Sequence, residues 1–130
     1  MKSKRLLKFY YSADSLNRAL DNLITGSALA SADCGKSGDF YAEKIIEIIA
    51  AKKKLGELWR YLDGVMGGFS EEEGKVLRYY AQLRVGTARL PEGVARGIKR
   101  VTVKFAHRAR NTDRFDEGIR LVGEYYSLML

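Results

Sequence analysis

Cysteine, histidine and proline each occur only once in these 130 residues, and no long apolar run is present. A single cysteine, Cys34, closes no internal disulfide, which excludes a disulfide scaffold and suits a reducing cytoplasm. A single histidine, His107, leaves no set of soft metal ligands, so neither a metal site nor a cofactor is expected. The most apolar run, Ile45 to Ala51, contains Glu47 and is far too short to cross a bilayer. Lys2, Lys4 and Arg5 look like the start of a signal peptide, but Lys8 breaks the apolar stretch after them. The expectation is a cytoplasmic chain without a membrane partner. With one proline and many helix-forming residues, helices are favoured over short strands.

Hydrophobic residues make up 46% of the sequence, enough to bury a core and too many for a disordered chain. The length fits one domain. Leu6, Phe9, Ala13, Leu16, Leu20 and Leu23 recur at helical spacing and predict one long helix. Residues 31 to 39, with two glycines among small polar side chains, read as a loop, and Asp39 as an N-cap. A second helix follows from Phe40 to Met66, with Ile45, Ile48, Leu55, Leu58, Leu62 and Val65 on one face and Ile49, Trp59 and Met66 widening it. Gly67-Gly68 ends it. Residues 5 to 66 should therefore form an antiparallel helical hairpin.

Ser70 followed by Glu71, Glu72 and Glu73 predicts a capping box, with the acids at the positive end of a third helix dipole. Val76, Leu77, Tyr80 and Leu83 give that helix its inner face, and Gly86 and Thr87 stop it. Leu90 to Arg110 is helical in one piece or two, with Pro91 suited to a first helical position. A last helix is expected from Asp113 to Met129. The fold class is all-α: about five helices in a single domain, the hairpin at 5–66 and a C-terminal helical unit at 69–130 with an exposed basic helix.

The net charge is +7, and residues 84 to 114 carry nine basic side chains against Glu92 and Asp113. The remainder of the chain is neutral in sum. On a helical wheel, Val94, Ile98, Val101, Phe105 and Ala109 share one side. Arg96, Arg100, Lys104 and Arg108, each four apart, form a stripe opposite them, joined by Lys99, His107 and Arg110. No carboxylate lies between Gly97 and Thr112. Like charges four apart repel, so an anion is needed to relieve them, and a phosphate backbone does so with release of counterions. Val103, among the cations, could meet a thymine methyl in a major groove. A solubilising face, or a face for an acidic protein or a membrane surface, is the competing reading.

The acid-rich start at Ser70–Glu73, the Val76-Leu77 pair and the basic close His107-Arg108-Ala109-Arg110 resemble the fourth conserved region of bacterial sigma factors and their phage-type relatives. The resemblance spans residues 69–110. It implies a helix-turn-helix whose recognition helix enters the major groove of promoter DNA. Carried over by position, Lys99, Arg100, Val103, Lys104, His107 and Arg108 would face that DNA. The family opens its last helix with serine or threonine after a glycine turn. Here a glycine-rich Leu90–Gly97 runs into Ile98-Lys99 without a cap, so a continuous helix from Pro91 to Arg110 stays open.

Other constellations are weaker. Ala30 to Ser37 imitates a phosphate-binding loop, but no strand precedes it, and Cys34 near Lys36 has no base beside it. In each of the pairs Tyr10-Tyr11, Tyr79-Tyr80 and Tyr125-Tyr126 one ring can enter the core while the other lies at its edge. The first expectation is a DNA-binding transcription regulator that is not an enzyme. The alternative is a non-enzymatic helical interaction module. The heptad-like stripes also leave a homodimer open.

Overall fold

The computed structural model describes residues 2–33, 38–84 and 87–129. Among the described residues the chain runs through five α-helices: α1 (Lys2–Asp33), α2 (Gly38–Met66), α3 (Glu71–Gln82), α4 (Glu92–Arg108) and α5 (Asp116–Glu124). Short 3-10 turns lie at Thr87–Arg89, Arg110–Phe115 and Tyr126–Met129. Among the described residues there is no strand, so the fold is all-α.

α1 and α2 form the expected antiparallel hairpin. Tyr10 of α1 stacks on Trp59 with ring centroids 5.5 Å apart, and its hydroxyl donates to Asp63 at 2.7 Å. The Trp59 indole N–H donates in turn to the Tyr10 carbonyl at 3.1 Å. Burial and the neighbouring Asp63 carboxylate together hold the Tyr10 phenol above its ordinary pKa. Further up the hairpin Lys52 pairs with Asp21, so the lysine that interrupts the apolar stripe of α2 is tied to α1.

Two boundaries differ from expectation. The predicted loop at 31–39 is helical at 31–33 and 38–39, and residues 34–37, with Cys34, lie outside the described residues. Asp39 is thus inside α2 rather than at its N-cap. The apolar stripe of α1 also turns. A strict seven-residue repeat drifts by about 20° per heptad on a straight helix, so the stripe from Leu6 rotates out of the interface toward its far end. Leu20 is buried, Ile24 half-buried, and Leu23 is 41% exposed.

The remaining helices pack on the base of the hairpin. α3 lies against α1: the Tyr11 hydroxyl donates to the Gly74 carbonyl at 3.2 Å, and Arg78 sits over the Tyr11 ring. α5 lies against α2, where buried Gly118 allows the approach. A Cβ there would stand 3.3 Å from Leu58 Cβ. α5 is shorter than expected at both ends, because Arg110–Phe115, with Thr112 buried in it, and Tyr126–Met129 are 3-10 turns. The core draws on all five helices, with Phe9, Leu58, Leu77, Phe105 and Val122 among its most enclosed side chains.

Candidate nucleic-acid interface

The start of α3 fixes one side of the site. Ser70 caps the helix as the sequence predicts: its hydroxyl accepts from the Glu73 N–H at 3.2 Å, and Glu73 Oε1 accepts from the Ser70 N–H at 3.0 Å. Phe69 precedes the cap, where an apolar side chain commonly staples to the fourth helical residue. That residue here is Gly74, which has no side chain to offer. The Phe69 ring turns instead to α4 and packs on Phe105, centroids 6.4 Å apart.

α4 is one continuous helix from Glu92, without a turn at Gly93 or Gly97, and Pro91 is its N-cap rather than its first turn. This settles the alternative left open for residues 90–110. Ile98, Val101, Phe105 and Ala109 are buried as expected. Val94 is not: it is 45% exposed, in a cleft between α3 and α4 lined by Tyr79, Gly93 and Gly97, whose glycines leave nothing to cover it.

The cations of α4 fall into two sets. At about 100° per residue, Arg96, Lys99, Arg100, Val103 and His107 occupy an arc of about 100° directly opposite the buried side chains. All five are exposed, Val103 to 60%. Arg110, in the turn that follows, is exposed as well. Among the described residues, Lys99, Arg100 and Arg110 have no ion pair with any carboxylate. Arg96 is paired with Glu92 one turn before it, at 2.6 Å.

Lys104 and Arg108 form the second set, on the flank toward α3. Lys104 Nζ donates to both oxygens of Glu73, at 3.0 and 2.8 Å, and stands 5.1 Å from the centre of the Phe69 ring. Arg108 lies over the same ring at 5.4 Å and across the Gly68 backbone. Lys104, expected to face a ligand, is held by neighbours in this structure. Its charge is already clasped by the carboxylate that completes the α3 cap, and by a ring quadrupole that attracts cations. The hydrogen bond from Lys104, followed by that from the Ser70 backbone, pulls the Glu73 carboxyl down to about 2. Arg108 remains exposed but is drawn down over Phe69, at the negative end of the α4 dipole.

Phe69 is the participant that reading the helices missed. It lies outside every helix, so no periodicity marks it. The empty staple position at Gly74 was the available signal. Chemically, the outer arc can bind anions and present one small apolar side chain among them. Among the described residues no three His, Cys, Asp or Glu side chains group as a metal site, and no helix is long and apolar enough to cross a membrane.

Comparison with known proteins finds no match: no family model fits the chain, and no curated protein or solved structure is similar to it.

Proposed function

We propose that this chain binds nucleic acid, duplex DNA by preference, through the outer arc of α4, as a transcription regulator in which one continuous helix stands where sigma region four has its turn and recognition helix. The observation that carries the reading is the exposed row Lys99, Arg100 and Arg110, which no carboxylate among the described residues neutralises. Among the described residues no other helix lies over this arc, and Lys99 to Arg108 extends about 14 Å along the helix axis at ~1.5 Å per residue. A single helix, about 10–12 Å across with its side chains, fits a major groove about 12 Å wide. Lys99, Arg100 and Arg110 would contact phosphates and release counterions, and Arg96 would join them on exchanging Glu92 for a phosphate. Val103 and His107, at the centre of the arc, are the side chains placed for base edges. Lys104 and Arg108 hold α4 against α3 and so fix the angle at which the arc is presented.

A second reading has one observation in its favour. Two of the cations, Arg96 and Lys104, already pair with carboxylates, as they would with an acidic protein. Titration of labelled duplex DNA and single-stranded RNA at about 50 and 200 mM salt separates the two. The DNA reading expects binding at the lower salt that weakens by roughly fiftyfold or more at the higher, three or four released counterions giving a slope near −3. Failure of both nucleic acids to bind at the lower salt refutes it.

A further inference from the structure

Independently of the nucleic-acid reading, we propose that the cavity between α1 and α2 beside Trp59 is a binding site for a small aromatic zwitterion, a free aromatic amino acid. None of its residues belongs to α4. The cavity measures about 350 Å³, inside the range of about 300–1,000 Å³ common for small-molecule sites. Two residues without bulk keep it open. Ala13 lines it from α1 and Gly56 from α2, and a Cβ added at Gly56 would meet nothing within 4 Å. Phe9 and Leu55, both buried, form its floor. Trp59 forms one wall. Tyr10 already stacks on one face of that ring, nearly parallel at 15°, and Tyr10 does not line the cavity. The cavity therefore lies against the other face, which is free to take a second ring.

The charges on the rim select the ligand. Asp14 of α1 and Arg60 of α2 both line the cavity, both are exposed, and neither is ion-paired among the described residues. The contacts Tyr10–Asp63 and Asp21–Lys52 set the register of the antiparallel pair, and that register puts Asp14 level with Arg60 on the opposite helix. They flank the cavity instead of closing it. An α-ammonium group matches Asp14. An α-carboxylate matches Arg60, whose fork offers it two N–H donors. An aromatic side chain matches Trp59 and the floor. Asn17, one turn on from Asp14, adds an amide oxygen for the ammonium. The two rim charges sum to zero, as those of the ligand do. A nucleotide would bring two negative charges to a rim with one cation and one anion, and an aliphatic amino acid would leave the free face of Trp59 without a ring. Because the rim is exposed, the affinity is modest, on the order of 0.1–1 mM.

Trp59 is the one tryptophan of the chain, so its emission reports on this site alone. The probe is L-phenylalanine, which does not absorb at the red edge where tryptophan is excited. Titrated into the full chain, it should change that emission saturably, and calorimetry should return the same constant. Phenylacetate, phenethylamine and L-leucine each lack one of the three matching groups and should bind roughly fivefold more weakly or worse. Asp14→Asn and Arg60→Gln should each weaken L-phenylalanine by roughly fivefold. Gly56→Leu, which fills the cavity, should abolish binding. The first two positions are exposed and leucine favours a helix over glycine, so helicity by circular dichroism should be unchanged in all three. Should Gly56→Leu fail to fold, the two rim variants decide. Absence of a saturable signal by both methods overturns the proposal. So does phenylacetate or phenethylamine binding as tightly as L-phenylalanine, or full affinity in either rim variant. Adenosine 5′-monophosphate binding more tightly than L-phenylalanine overturns the assigned ligand class.

Discussion

Lys99 and Arg100 on one flank of α4, and Lys104 and Arg108 on another, have the same chemistry and the same helix, yet different surroundings. The first two face water with no carboxylate partner among the described residues. The other two lie over Phe69, and Lys104 is held by Glu73. The difference comes from what α3 brings to each flank. Its N-terminus supplies a ring and a carboxylate to one side of α4 and nothing to the other. Charge counted along a sequence therefore measures how many cations there are, not how many are still free. A cation four residues from another can be part of the frame while its neighbour is part of the interface.

Three substitutions bear on that contrast, taken from the largest expected effect. Phe69→Ala removes the platform beneath Lys104 and Arg108 and its packing on Phe105. For a half-buried ring the loss should be about 2–3 kcal/mol, below the range for a fully enclosed phenylalanine, and denaturant unfolding measures it. Its effect on nucleic-acid affinity at saturating folded protein should be much smaller than its effect on stability. If affinity collapses while stability holds, the frame and the interface have been assigned the wrong way round.

Glu73→Gln should come next. It breaks the pair with Lys104 and weakens the α3 cap, lowering the melting temperature at neutral pH. The pH dependence has a definite sign. A carboxyl whose folded value is about 2, against an ordinary value of 4.5, stabilises the fold fully above the ordinary value. That contribution declines as pH falls from 4.5 toward 2 and is gone below both. The gap in melting temperature between wild type and Glu73→Gln should therefore narrow over that window. A gap that is constant from neutral pH to 2 would show that the ionised carboxylate is not what holds Lys104.

The smallest effect is expected at Glu92→Gln, which frees Arg96 on the outer arc. The Arg96–Glu92 pair is exposed and lies within one helix, so melting should be almost unchanged. Affinity for duplex DNA should rise two- to threefold, on the order of one extra screened phosphate contact. Weaker binding after this change would place Glu92, rather than Arg96, among the contacts.

Much of the frame was legible in the residues. Ser70 and Glu73 specify their own capping box by type and spacing, and Gly67-Gly68 follows the last residue of α2. Ile98, Val101, Phe105 and Ala109 are buried as their period requires. What escaped was set by neighbours distant in sequence. The phase of α1 drifts past its heptad stripe, leaving Leu23 outside. Ile49 continues the apolar face of α2 in sequence but stands in water. The last helix is cut to Asp116–Glu124 by the turn that buries Thr112 at its start and by the 3-10 turn Tyr126–Met129 at its end. At the candidate site, the eight side chains from Arg96 to Arg110 share one segment of sequence, but their separation into an outer arc and an inner pair depends on Phe69 and Glu73. Those two act from a different helix start, and no local pattern links them to α4.

The most direct test is the salt dependence of duplex DNA binding for three proteins side by side: wild type, Lys99→Gln/Arg100→Gln, and Lys104→Gln. The double substitution should lower the slope of affinity against salt by about two, with folding intact, while Lys104→Gln leaves that slope at the wild-type value. Equal slopes for wild type and the double variant, or a fall for Lys104→Gln as large as that for the pair, would contradict the division of α4 into a bound flank and a free one.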